Sequence, residues 1–187
     1  LHNKNDNNII IEQALFKHKT KPVYLLADAY RGKEMKQCIQ DFLHASNRNY
    51  NRPFQYNDTT FQFGGASDLI AFTGHNGLMD FSVDLRYKSD VINAIDAVVL
   101  ACYSKRFFSP EFQKSGANPL IWSTHLMAPE AYILHAILDA WINGKENHEI
   151  RDAAAQTYRH YQKCGLQAAR KHLCKSSKLS PSFNFNL

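Results

Sequence analysis

Asp68–Gly74 (DLIAFTG) and Asp96–Cys102 (DAVVLAC) decide how this chain folds. Each is a short apolar run that an acidic residue opens, without the apolar–polar alternation of a strand that faces water on one side. Continuous runs of this kind belong to strands covered on both faces, as in a parallel sheet. Working outward, Lys21–Ala29 (KPVYLLADA) and Asn118–Thr124 (NPLIWST) read the same way, each with a Pro near its start. Between them lie helical patterns. Lys33–Ser46 places Met35, Cys38, Ile39, Phe42 and Leu43 on one stripe. Glu130–Asn143 does so with Ile133, Leu134, Ile137, Leu138 and Trp141; Pro129 stands before it and Gly144 after it. Glu149–Leu173 predicts one or two further helices broken at Gly165. Thr59–Phe63 reads as a short strand, Asn47–Asn57 as a polar loop, and Ser104–Ala117 as a loop with a short helix after Pro110. The expectation is an α/β fold, a three-layer sandwich with a mostly parallel central sheet of about four to six strands.

Composition narrows the function classes. The chain has 187 residues, 44% hydrophobic and 21% charged, which suits one globular domain. The expected organisation is an N-terminal extension over 1–20, a single α/β domain over 21–174 and a C-terminal tail over 175–187. No apolar run is long enough to cross a bilayer, so no membrane association is expected. The Asn-rich Leu1–Ile11 stretch lacks the pattern of a secretory signal, and the compartment, exported or cytoplasmic, stays open. The net charge of +5 is dispersed, apart from Lys17–Lys21 and Arg170–Lys178. A solvated basic surface, and no nucleic-acid site, is the expectation. The four cysteines form no CxxC, and no histidine pair has metal-ligand spacing, so neither metal nor cofactor is expected. Cys164 and Cys174 pair only if the protein is exported. The sequence carries no signature of oligomeric state.

In a parallel sheet with right-handed crossovers, the carboxyl ends of the strands share one edge, and ligands bind outside it. Three runs carry polar or reactive residues there: Asp28 with Arg31 beyond it, Thr73-Gly74-His75-Asn76-Gly77, and Cys102-Tyr103-Ser104. A thiol beside an imidazole can be deprotonated as it attacks a carbonyl carbon. Backbone N–H groups around Asn76 and Gly77 are candidates for holding an oxyanion. Asp28 reads either as a contact for a basic substrate side chain or as a turn or N-cap aspartate. Arg31 reads as a carboxylate clamp or a solvated turn residue. Phe107, Phe108 and Phe112 line a pocket or pack the loop onto the core.

Gly74-His75-Asn76-Gly77 followed by Leu100-Ala101-Cys102-Tyr103 resembles the caspase-like cysteine peptidases, in which adjacent parallel strands end in the catalytic His and Cys. Trp122-Ser123-Thr124 and Met127-Ala128-Pro129-Glu130-Ala131-Tyr132, then a helix ending at Gly144 and an Ala-rich helix over Ala153–Tyr161, are similar to the gingipain and CHAT members. The resemblance spans about Lys21 to Tyr161. It implies a caspase-like sheet, His75 as catalytic histidine, Cys102 as nucleophile, and a peptide or protein substrate. Two features depart from the pattern. The family has Gly directly after its His, where this chain has Asn76, and His75 and Cys102 lie only 27 residues apart. They keep a second expectation open, a non-catalytic domain of the same fold that binds a protein or peptide. A third is a small-molecule hydrolase or transferase on a flavodoxin-like sheet.

Overall fold

The computed structural model describes residues 2–4, 9–89, 93–128 and 130–174. In chain order the elements are β1 (His2–Lys4), β2 (Ile10–Lys17), β3 (Tyr24–Tyr30), α1 (Met35–Ser46), β4 (Asn51–Tyr56), β5 (Thr59–Gly64), β6 (Leu69–Thr73), β7 (Asp96–Leu100), α2 (Ser104–Ser115), β8 (Asn118–Ser123), α3 (Ala131–Ile142), α4 (Asn147–Gln162), α5 (Leu166–His172) and β9 (Leu173–Cys174). The protein is mixed α/β. Its strands form an antiparallel sheet β1-β2-β3, a hairpin β4-β5, and a four-stranded sheet β6-β7-β8-β9. In the last, β6, β7 and β8 run parallel and β9 closes the edge antiparallel to β8, so the sheet is mixed.

Every residue of β7 and β8 is buried, which is why both read as unbroken apolar runs. Successive β7 side chains serve different cores. Ala97 and Val99 join Ile39, Phe42 and Leu43 of α1, Phe108 and Phe112 of α2, Phe72 and Trp122. Val98 and Leu100 join Leu120, Ile121, Ile133 and Ile137 of α3, Ile150 and Ala154 of α4, and Leu173. Full burial of one such side chain is worth about 1.5–3 kcal/mol. The first core is held by aromatic contacts: Phe42 lies 5.8 Å from Phe72 and 6.1 Å from Phe108 and Phe112, and Phe112 stacks on Trp122 at 6.1 Å. Phe108 and Phe112 are therefore core residues, and Phe107 packs against the same cluster.

Three expectations are corrected. Lys21–Ala29 supplies β3, which pairs antiparallel with β2, so residues 10–17 of the expected N-terminal extension belong to a sheet. Within Ser104–Ala117, residues Ser104–Ser115 form a continuous helix, α2, with Pro110 inside it. Burial of Phe108 and Phe112 at i and i+4 outweighs the lost hydrogen bond, since Pro110 is exposed and water can satisfy the free carbonyl. Asn47–Asn57 is more than a loop: β4 pairs with β5 around a turn with Asn57 at φ 50°, and Phe54 faces Phe61 across the hairpin.

The other helical expectations fit. α3 ends just before Gly144, which sits at φ 67°, and α4 and α5 meet at Gly165. Pro129 and the tail 175–187 lie outside the described residues. Among the described residues, no helix is long and apolar enough to cross a membrane.

Candidate active site

The site is built on the carboxyl ends of β6 and β7. These strands are parallel neighbours with Thr73 beside Leu100, and the Gly74 N–H extends the ladder by donating to the Leu100 carbonyl at 3.2 Å. His75 comes next, and a 3-10 turn over Gly77–Met79 then redirects the chain. Asn76, fully buried, bridges the two strand ends. Its Nδ2 donates to the Cys102 carbonyl at 2.6 Å, and its Oδ1 accepts the Leu78 N–H at 3.2 Å. One side chain thus satisfies a turn donor and a strand-end acceptor, each costly to leave unpaired when buried. Gly77 is required by space. A Cβ there would meet the Phe81 ring at 2.6 Å and Met35 Cγ at 2.9 Å. The Gly77 N–H donates to the His75 carbonyl at 3.1 Å, so it already has an acceptor within the turn.

Cys102 stands at a sharp strand-to-helix turn. Tyr103, the next residue, takes φ 49° and ψ 31°, a left-handed conformation unusual for an aromatic residue and costing on the order of 1 kcal/mol. Its N–H donates to the His125 carbonyl at 2.9 Å. Beneath the turn, two buried serines lock β7, α2 and β8 together. The Ser123 N–H donates to Ser104 Oγ at 2.8 Å, and the Ser104 N–H donates to Ser123 Oγ at 3.2 Å. Ser104 Oγ–H donates to the Val99 carbonyl at 2.9 Å, and Ser123 Oγ–H donates to the Ala101 carbonyl. The half-buried Cys102 thiol faces the loop after β8: its sulfur accepts the Met127 N–H at 3.4 Å and donates to the Met127 carbonyl at 3.5 Å. Burial raises the Tyr158 phenol, with Cys164, Tyr132 and Cys102 adding to the rise.

The His75 ring turns to Asp80, with Nε2 2.5 Å from Oδ2 and both side chains more than half exposed. No hydrogen bond joins His75 to Cys102 in this arrangement; the fold brings their strand ends together and Asn76 ties them. Asp28 and Arg31 do not join this edge. Asp28 lies within β3 and Arg31 just after it, and the partner of β3 is β2. Asp28 is half-buried and fully engaged, accepting from Arg52 and from Gln13 Nε2, each at 2.7 Å. Arg31 leads into a short 3-10 turn, its N–H donating to the Ile9 carbonyl at 2.9 Å. A cavity of about 500 Å³ lies between β3 and β6, lined by Tyr24, Asp28, Arg52, Phe63 and Ile70 among others, and neither His75 nor Cys102 lines it.

The remaining thiols and imidazoles have other surroundings. All four cysteines are free. Burial pushes the Cys38 thiol up to about 12, with Asp41 and Asp28 adding to the rise, and burial also raises Cys174. His172 is buried, stacks on Tyr158 at 4.9 Å, and has Nε2 without a hydrogen-bond partner; burial holds its pKa below the ordinary histidine value. Among the described residues, no group of three His, Cys, Asp or Glu is placed to hold a metal ion.

Sequence reading assigned no role to four contributors. Asp80 was visible only as one of several acidic residues after His75. Ser104 and Ser123 stood beside strand ends with nothing to mark them as a pair. Met127 acts through its backbone, which leaves no trace in residue type. Comparison of the chain with family models, characterised proteins and solved structures found no match in any of the three.

Proposed function

We propose that this protein is a caspase-like cysteine peptidase that cleaves peptide bonds through Cys102 and His75. The observation that carries the reading is the buried Asn76 bridge, which fastens the turn bearing His75 to the carbonyl of Cys102 across two adjacent parallel strands. Ligands of open α/β sheets bind outside the carboxyl ends of the parallel strands, where both residues stand. The reading includes a three-layer, mostly parallel architecture, and two apolar cores shared by alternate β7 residues support it.

In this mechanism the Cys102 sulfur attacks the scissile carbonyl carbon as the thiol proton passes to His75. The carbonyl oxygen becomes an oxyanion, held by backbone N–H groups near Asn76 and Cys102 at the amino end of α2. Because the Gly77 N–H is already donated within its turn, it contributes less to this site. As the tetrahedral adduct collapses, the C–N bond breaks and His75 delivers the proton to the leaving amine. Water, deprotonated by His75, then attacks the thioester, and the acid and the free thiol are released. No metal or organic cofactor enters these steps.

The test is a peptide-library digest. Wild-type protein is expected to cleave a subset of peptides, with Cys102→Ala at least about 1,000-fold slower and Cys38→Ala unchanged. Cleavage that survives Cys102→Ala contradicts the mechanism. A second reading, a non-catalytic peptide-binding domain of the same fold, is favoured by one observation: His75 bonds Asp80 and the Cys102 thiol bonds Met127, so the two side chains do not bond each other. Catalytic hydrogen bonds that are loose without substrate often tighten on binding. No turnover by wild type, together with peptide binding retained in Cys102→Ala, selects the second reading.

A further inference from the structure

We propose that Asp80 is a positioning residue that holds His75 as the Nε2–H tautomer and leaves Nδ1 as its proton-accepting nitrogen. This rests on the reading of His75 as the catalytic base. A strand-end imidazole without a fixed partner exchanges its proton between two nitrogens, and only one tautomer offers a lone pair to a given neighbour. A carboxylate acceptor on one nitrogen ends that ambiguity and stabilises the imidazolium that forms when the base takes a proton.

The geometry is specific. His75 Nε2 lies 2.5 Å from Asp80 Oδ2, and among the described residues Nδ1 makes no hydrogen bond. The five-residue separation is set by the backbone. The Met79 N–H donates to the Asn76 carbonyl at 3.0 Å, and the Asp80 and Phe81 N–H groups both donate to the Gly77 carbonyl, at 2.9 and 3.0 Å. Phe81, swung under the turn, and Met35 occupy the space that any side chain at position 77 would need. Asn76 pins the other end of this turn to Cys102. The carboxylate therefore sits on the same rigid turn as the imidazole, and that turn is bonded to the strand end carrying the thiol. With side chains 58% and 62% exposed, the pair adds little to stability.

The tautomer reads out this inference without recourse to catalysis. Imidazole nitrogen shifts of His75 are recorded by long-range NMR correlation on the full chain, on the alkaline side where the ring is neutral. Wild type, Asp80→Asn and Asp80→Glu are compared, and alkylation of Cys102 by iodoacetamide is followed in the same samples. Wild type is expected to show a protonated Nε2 and a bare Nδ1. Asp80→Asn should give a mixture of tautomers and about 10- to 100-fold slower Cys102 labelling, with an unchanged melting temperature. Asp80→Glu should restore the wild-type pattern. An identical His75 tautomer in wild type and Asp80→Asn overturns the inference. A tautomer that follows Asp80 in a protein that neither cleaves peptides nor labels at Cys102 upholds the positioning role and removes the peptidase reading instead.

Discussion

β7 and β3 are both short apolar runs carrying an aspartate, yet every residue of β7 is buried whereas β3 alternates between half-buried and exposed positions. β7 lies between two parallel neighbours with an apolar core on each face. β3 ends an antiparallel sheet whose cross-strand pair Phe16–Leu25 is 53% and 37% exposed. The two regions are also fastened differently. Apolar and aromatic packing holds the sheet that contains β7. Around β3, polar pairs reach to α1 and β4: Asp28 with Arg52, and the Tyr30 hydroxyl donating to Asp41 at 2.8 Å. Burial beside Asp41 drives the Tyr30 phenol well above its ordinary value. An apolar run thus fixes a strand without fixing its neighbours. The placement of a reactive group depends on the neighbours.

The largest expected effect separates the two regions by stability. Phe108→Ala, in the core beneath β7, should cost about 3–5 kcal/mol in denaturant unfolding. Phe16→Ala, on the exposed face of β2, should stay within about 0.5 kcal/mol. Similar losses at both positions would mean that the N-terminal sheet is covered in solution and would break the contrast. Next in size is the bridge between the strand ends. Asn76→Ala leaves the Cys102 carbonyl and the Leu78 N–H without their partner and should cost about 1–3 kcal/mol. It should also lower kcat/KM for any peptide cleaved, which a purely structural asparagine elsewhere in the fold would not do.

These comparisons also show how much the sequence made legible. The strands β6, β7 and β8 and the helices α1 and α3 were readable because burial on both faces, or on one helical stripe, leaves a pattern in residue type. The placement of His75 and Cys102 at strand ends was readable because it follows once the strands are known. The partner of β3 was not, since pairing is made by backbone groups common to all residues. One clue was present: Tyr24, Leu26, Asp28 and Tyr30 alternate with smaller or more exposed residues, the period of a one-sided strand. α2 was hidden by Pro110, whose local cost is outweighed by burial of Phe108 and Phe112. The Asn76 bridge was missed for a different reason. Read against a glycine pattern, Asn76 looked like a departure, and only the fold shows that its amide reaches Cys102.

A smaller effect sharpens the assignment of Asp28. Asp28→Asn removes the largely buried charge facing Arg52 and should cost about 1–2 kcal/mol, with kcat/KM unchanged, because Asp28 lies outside the β6–β7 edge. A selective loss of cleavage after basic residues would return Asp28 to the substrate site. The smallest is a pH effect. Burial depresses the His172 pKa, so the folded state prefers the neutral ring while the unfolded chain takes up a proton near about pH 6.5. The stabilisation is present above that pH and is lost as pH falls through it. Melting temperature should therefore drop between about pH 7.5 and pH 5.5 in wild type, and drop less in His172→Phe. Parallel curves for the two proteins would show that His172 does not set the slope.

Site-resolved thiol reactivity tests the Cys102–His75 pair most directly. Native protein is treated with limiting iodoacetamide at about pH 6, and the labelled cysteine is mapped by peptide mass spectrometry, alongside His75→Ala. Fast labelling is expected at Cys102, lost in His75→Ala, and slow labelling at Cys38 and Cys174, whose thiols burial keeps protonated. Slow or unselective labelling that ignores the His75 substitution would contradict a working Cys102–His75 pair.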